Sequence, residues 1–172
     1  MCQIKQQVEK HIMSNGSEVE ADSTDLLRHL ALERVSPQWA VFLDLLSAEL
    51  QAQLTPAEYR QLLRRLGSRF AETVPLDPCA DLVGMADQAN RVWQRMQWGF
   101  VAMVDLGQSL RITHRASPLP AALQLDADVA GGFLEGVYAT WLSAAGSPPT
   151  LTLGQLTGSG APMEMVFALS AP

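Results

Sequence analysis

The residues that could do chemistry in this chain are few and far apart. Cys79 follows a proline near the start of a predicted helix, where the pKa of a thiol can fall. The sequence places no histidine or other base beside it, so we favour a small packed residue over a hydrolase nucleophile. Glu135 invites a general-acid role, but that chemistry needs a partner carboxylate, and the sequence cannot place Glu164, the nearest candidate, beside it.

The other signatures of catalysis and of metal binding are missing. Gly107-Gln108-Ser109 is not a GxSxG elbow, and Gly158-Ser159-Gly160 lacks the strand-to-helix context of a phosphate loop. The three histidines are scattered, and Cys2 and Cys79 make neither a disulfide framework nor a zinc site. We therefore expect a protein that is not an enzyme and that holds no metal or cofactor.

Composition supports one folded core and argues against nucleic acid as a partner. The 172 residues are 48% hydrophobic and 17% charged, which is apolar enough to fold without metal or disulfides. Twelve basic residues against 18 acidic ones give a formal charge of −6, whereas nucleic-acid binding needs a basic patch. The sequence shows no secretory signal and no 18-residue apolar run, so we expect the cytoplasm, with the periplasm as the alternative.

The first 35 residues differ from the rest of the chain. Helical spacing of apolar residues near the start is followed by the polar, acidic stretch Ser14–Asp25, which is typical of a linker. We predict that residues 1–35 are a flexible extension with short amphipathic pieces, and that residues 36–172 form the folded domain. The extension is either a tether for those pieces or a leader without a role.

Three helices are predicted from Ser36 onwards. Ser36 and Pro37 open the first, and Thr55–Glu58 is a capping box that opens the second. The third spans about Cys79 to Gln97 and is expected to be capped by Asp77. The apolar stripe of the first helix consists of Trp39, Phe42, Leu43, Leu46, Leu50 and Leu54. Core packing is the favoured role of the helical tryptophans Trp39, Trp93 and Trp141.

The second half of the chain alternates extended and helical patterns. A loop is predicted over Ser117–Pro120, and a fourth helix, thinned on one face by glycines, over Asp126–Ala145. The predicted strands, which form two hairpins, are Trp98–Asp105, Gln108–His114, Thr150–Gln155 and Met163–Leu169. The fold class is therefore α+β: N-terminal helices, then hairpin, helix and hairpin, with a four-stranded antiparallel sheet.

Several short motifs, taken in order, resemble the D subunits of bacterial cellulose synthases. They are Trp98-Gly99, the run Gln108–Ile112 with His114, and the run Leu134–Tyr138 with Trp141. The helix opening over Pro37–Gln53 agrees as well, and the resemblance covers about residues 36 to 169. None of these motifs is a catalytic signature.

The resemblance implies a non-catalytic accessory subunit, since a separate subunit carries out glycosyl transfer. Such subunits assemble as a ring-like octamer built from dimers, whose internal passages guide nascent β-1,4-glucan chains. Implied partners are further copies of the chain, the glucan, the other cellulose synthase subunits and, in some bacteria, a proline-rich protein. The long N-terminal extension departs from the family pattern, so residues that line the passage cannot be transferred by motif.

A neutral, polyhydroxylated polymer needs hydrogen-bonding side chains that do not grip it tightly. Arg34, Ser36 and Gln38 lie around the opening of the first core helix, and we expect them to line the glucan path. The alternative function is a small-ligand-binding or adaptor module with a fold like that of tethering-complex subunits, an analogy that predicts a deep apolar pocket.

Overall fold

The computed structural model describes residues 35–158 and 163–171, together with Leu26, His29, Leu30 and Glu33. The elements in chain order are α1 (Pro37–Gln53), α2 (Pro56–Thr73), α3 (Leu82–Met96), β1 (Phe100–Asp105), β2 (Leu110–Arg115), α4 (Leu119–Ala122), α5 (Ala127–Ala144), β3 (Thr152–Gln155) and β4 (Glu164–Ser170). This order confirms the predicted α+β class. Almost all of the predicted N-terminal extension lies outside the described residues.

The capping box at the start of α2 is present as predicted. The Glu58 backbone N–H donates to Thr55 Oγ1 at 3.3 Å, and the Thr55 backbone N–H donates to Glu58 Oε2 at 2.9 Å. The hydrogen bond from the Thr55 side chain is the main reason why the pKa of the Glu58 carboxyl is lowered. These contacts satisfy N–H groups that a helix start otherwise leaves without partners.

Two local expectations are wrong. The third helix begins at Leu82 with Asp81 as its cap, because the Gly84 backbone N–H donates to Asp81 Oδ1 at 2.8 Å, whereas the backbone of Asp77 is hydrogen-bonded to the Gln88 side chain and stays outside the helix. The predicted loop over Ser117–Pro120 instead runs into the short helix α4, in which Pro120 lies in the first turn. A proline in a first turn removes only an N–H that would have no partner there.

The sheet has the strand order β1-β2-β4-β3, and all of its neighbours are antiparallel. Each outer pair is a hairpin, and pairing of β2 with β4 joins the two hairpins. Leu110, Ile112 and His114 of β2 are all buried, which agrees with the alternation in the sequence, where Leu110 and Ile112 are expected to face one way and Arg111 and Thr113 the other. This inner face of the sheet packs on α5.

Two glycines allow α2 and α5 to pack backbone against backbone. A Cβ atom on Gly67 would overlap the Phe133 carbonyl oxygen, and one on Gly136 would overlap the Arg64 carbonyl oxygen. A glycine inside the apolar stripe of the second helix, such as Gly67, predicts either a close helix contact or an early stop of the helix, and the structure shows the close contact. The thinned face predicted for α5 is confirmed.

An aromatic cluster fills the space between the helices and the sheet. Its rings belong to Phe70, Trp93, Trp98, Phe133, Tyr138 and Trp141. The Trp93 and Trp141 centroids are 5.4 Å apart, and both residues are buried as predicted. The expectation that Trp39 packs in the core is wrong, because its side chain is 55% exposed.

Candidate functional site

The most unusual surface of the molecule is one side of α1. We call it the α1 surface, and its exposed members are Trp39, Val41, Phe42, Leu45 and Leu46. Val41 and Leu45 are both 65% exposed, and the Trp39 and Phe42 rings meet edge-on with centroids 5.8 Å apart. Isolated exposed apolar residues are ordinary, but a contiguous group of this kind marks an interaction site.

The opposite side of α1 explains how this helix is held. Ser47 is fully buried, donates to the Leu123 carbonyl oxygen and accepts a hydrogen bond from the Tyr59 hydroxyl at 3.1 Å. Leu50 and Leu54 are partly buried against the core. The described part of the chain therefore covers only the C-terminal half of the predicted stripe, and α1 is apolar on two sides. A helix of this type is normally covered on both sides.

Two of the three residues expected along a glucan path lie at the start of this helix. Ser36 is the N-cap residue of α1 and Gln38 is in its first turn, and both are exposed. The Ser36 side chain makes no capping hydrogen bond, so its hydroxyl is not used by the helix. Arg34 lies outside the described residues.

Glu135 is held by arginines and does not form a carboxylate pair. Its side chain is buried and forms ion pairs with Arg60 and with Arg64, the latter at 3.3 Å between Nε and Oε1. Arg60 also donates to Gln155 Oε1 at 2.8 Å, so a single guanidinium joins α2, α5 and β3. Glu164 pairs with Arg115 instead. The arrangement suits structural cross-linking, because one buried side chain of α5 is bonded to two arginines of α2.

His114 is fully buried between the sheet and α5. Its Nε2 lies 2.8 Å from the Trp98 carbonyl oxygen, and its Nδ1 lies 2.6 Å from the Tyr138 hydroxyl. A carbonyl can only accept, so Nε2 carries the proton and Tyr138 donates to Nδ1. Burial lowers the pKa of His114 from 6.5 to about 4, although the bond to Trp98 opposes this, and burial raises the pKa of Tyr138.

This buried imidazole predicts a pH-dependent stability. Below pH 6.5 the unfolded chain gains a proton that folded His114 does not take up until about pH 4. The free energy of unfolding should therefore be unaffected by this group above pH 6.5, and should fall by up to about 3 kcal/mol between pH 6.5 and 4. Urea unfolding of the wild type and of His114→Gln across this range would measure the effect.

The comparison with His114→Gln also controls for the carboxylates, because they titrate in both proteins and their effect cancels in the difference. The difference in unfolding free energy between wild type and His114→Gln should shrink as the pH falls. A difference that stays constant from pH 7 to pH 4 would contradict the assignment of a neutral, buried imidazole.

Cys79 is a free, half-buried thiol that lies before α3, not in its first turn. It lines a cavity of about 340 Å³ between the ends of α2 and α5.

In the part of the chain that the structure describes, no group of three or more histidine, cysteine or acidic side chains is placed to hold a metal ion. Within the same residues, none of the helices has the length and hydropathy needed to cross a membrane.

Sequence reasoning missed the arginine–glutamate cluster and the burial of His114. The signal for His114 was present, since it continues the alternation of Leu110 and Ile112 along one strand face. The Arg60–Glu135 pair left no comparable signal, because 75 residues separate the partners. Long-range pairs of this kind depend on how α2 packs on α5, which cannot be read from a single sequence.

Comparison with known proteins decides the family. The family profile that describes the D subunit of cellulose synthase matches residues 25–168. The chain belongs to this family. It is also 28% identical over 111 residues to the cellulose synthase operon protein D of Komagataeibacter xylinus, an alignment that covers 63% of this chain and 71% of that protein. The resemblance inferred from the sequence is confirmed, and the chain is an accessory subunit of cellulose synthesis.

In this member of the cellulose synthase D family, the motif residues that carried the resemblance serve the fold. Gly99 has a φ of 89°, and a Cβ there would overlap the Arg115 carbonyl oxygen. His114 and Tyr138 form the buried hydrogen bond, Gly136 allows the helix crossing, and Trp141 donates to the Val74 carbonyl oxygen at 3.0 Å. The shared pattern therefore preserves an architecture.

Proposed function

We propose that the chain is a non-catalytic subunit that joins further copies of itself into a ring-like oligomer, in which nascent β-1,4-glucan chains are guided. The observation that carries this proposal is the α1 surface on a member of the cellulose synthase D family. Assembly gives that surface a cover, whereas the described residues of one chain leave five large apolar side chains exposed.

A second copy of the chain is the occupant we propose for the α1 surface. Between residues 39 and 46 the only charged residue is Asp44, so the surface has little charge for a partner to complement. An uncharged apolar helix face is complementary to an identical face across a two-fold axis. We therefore assign the α1 surface to the contact within each dimer, and the ring, an octamer in our proposal, needs a second and different contact between dimers.

Light scattering and sedimentation of the purified full chain test this proposal directly. A single, closed oligomer much larger than a dimer is the expected result. A monomer at micromolar concentration would overturn the assembly, and a deletion strain with normal cellulose yield and order would overturn the role in synthesis.

We further propose that Arg34, Ser36 and Gln38 line the glucan path. Ser36 and Gln38 support this, because they are exposed polar groups next to the α1 surface. Replacing all three with alanine should lower the yield or the order of cellulose, since the sliding chain loses hydrogen-bond partners. Light scattering should show an unchanged oligomer, and unchanged cellulose would remove these residues from the path.

The cytoplasm is the compartment we propose, and a free thiol at Cys79 suits a reducing environment. The other cellulose synthase subunits at the inner membrane are the proposed partners there. A membrane-impermeant maleimide should label Cys79 of a Cys2→Ser variant in lysed cells only. Labelling in cells with an opened outer membrane would place the protein in the periplasm.

A further inference from the structure

A second region with the shape of a site lies far from the α1 surface. It is the cavity of about 340 Å³ between the C-terminal ends of α2 and α5, closed on one side by the segment Pro75–Cys79; we call it the terminal pocket. Ala71, Met85 and Trp141, each at most 3% exposed, line its inner part. Its volume falls in the range of small-molecule pockets.

Small side chains keep this pocket open. Ala71 lies near the end of α2, Ala144 is the last residue of α5 and Ala145 is its C-cap, so three of the residues that line the space between these helices carry only a methyl group. Gly146 follows with a φ of 93° and turns the chain away. The sequence thus leaves a concave apolar surface where leucine or phenylalanine would have filled it.

The outer wall of the terminal pocket is fixed in place. The Asp77 backbone N–H donates to Gln88 Oε1 at 2.7 Å, and Gln88 Nε2 donates to the Asp77 carbonyl oxygen at 2.9 Å. At the other end of the segment, Trp141 Nε1 donates to the Val74 carbonyl oxygen at 3.0 Å. A wall held at both ends gives a pre-formed pocket, so a ligand has little ordering entropy to overcome.

The charged side chains that line the pocket are both acidic, while Arg91 and Arg95 line an adjoining cavity on the other side of Pro75–Asp77. Glu72 and Asp77 line it and are exposed, while Thr140 and Cys79 are the other polar members. Among the described residues that line the pocket, none is lysine, arginine or histidine. An anionic ligand such as a fatty acid or a nucleotide would therefore meet like charge, whereas a cation would be attracted.

We propose that the terminal pocket binds a small, largely apolar ligand that carries a protonated amine. The apolar part lies on Ala71, Met85 and Trp141, and the ammonium group faces the carboxylates of Glu72 and Asp77. None of the residues that line this pocket belongs to α1. Eleven residues of α2 lie between Tyr59, which bonds to Ser47 of α1, and Ala71, a rise of about 18 Å along the helix.

Titration of the full chain with phenethylammonium tests the proposal, with phenylpropionate as a ligand of similar size and opposite charge. Binding is followed by NMR at the Met85 methyl group and by the rate at which Cys79 of a Cys2→Ser variant reacts with a maleimide. Phenethylammonium should shift the methyl signal and slow the thiol reaction several-fold. Phenylpropionate should bind at least about fivefold more weakly, the scale of one exposed charge pair.

Variants at the pocket separate its apolar part from its charged part. Ala144→Phe should fill the space and abolish binding, and Ala57→Phe at the far end of α2 is its matched control. If Ala144→Phe lowers the melting temperature, a second variant remains. The double substitution Glu72→Gln and Asp77→Asn, at two exposed positions, should still remove the preference for the cation. Equal binding of both probes, or binding that Ala144→Phe leaves intact in a folded protein, would overturn the proposal. The oligomeric state is measured in parallel, and a monomeric chain would contradict only the proposal for the α1 surface.

Discussion

Gly136→Ala is expected to destabilise the fold by about 3 kcal/mol or more, although it adds a single methyl group. The added Cβ would overlap the Arg64 carbonyl oxygen of α2, which is backbone and cannot rotate aside. Relief requires α2 and α5 to move apart, and this separation would also loosen the ion pairs of Glu135 with Arg60 and Arg64. Urea unfolding followed by circular dichroism would measure the loss.

Gly154→Ala is the matched control for this substitution. Gly154 lies in β3 with ordinary backbone angles, and a Cβ there would meet no atom of the described chain within 4 Å. Its effect should be within about 1 kcal/mol of zero and could be stabilising, because alanine restricts the unfolded chain. Equal stability of the two variants would show that the helices can separate at little cost.

Phe42→Glu combined with Leu46→Glu is expected to break the ring-like oligomer into folded units no larger than the pairs held by its second contact. Both side chains belong to the α1 surface and lie one turn apart. Burying each contributes about 1.5–3 kcal/mol, and a two-fold contact contains every side chain twice. The dissociation constant should rise more than about a thousandfold, measured by light scattering over a concentration series.

The control for this variant carries the same two added charges elsewhere. Gln61→Glu in α2 and Gln94→Glu in α3 are at exposed positions outside α1, so that protein should keep its oligomer and support normal cellulose yield. The Phe42/Leu46 variant should keep its melting transition, because neither side chain is buried within the chain. An intact oligomer in that variant would move the dimer contact to another part of the molecule.

The features that were predicted correctly from the sequence depend on residues that are close together in the chain. The capping box Thr55–Glu58 needs only a three-residue spacing, and the inward face of β2 needs only alternation. The third helix was placed too early because Asp77 and Asp81 are both plausible caps, and what keeps Asp77 outside the helix is a pair of hydrogen bonds to Gln88, eleven residues away. The error at α4 has the same cause, since proline is common both in loops and in first turns.

The candidate site was harder to predict than the fold. An apolar stripe on α1 shows that something must cover the helix, but not whether that cover belongs to the same chain. Trp39 was therefore assigned to the core although it is exposed. The terminal pocket was invisible for a related reason, because alanines at the ends of two helices form a cavity only when those ends are brought together.

The separation of Trp39 from the aromatic cluster gives the protein two optical signals. Trp93, Trp98 and Trp141 share one cluster with centroid spacings as short as 5.4 Å, so their emission reports the packed interior. Trp39 is more than half exposed on the α1 surface and would emit at longer wavelength. Dilution across the dissociation constant should thus shift the red edge of the fluorescence spectrum while the blue edge stays fixed, a label-free measure of assembly that a Trp39→Phe variant would lack.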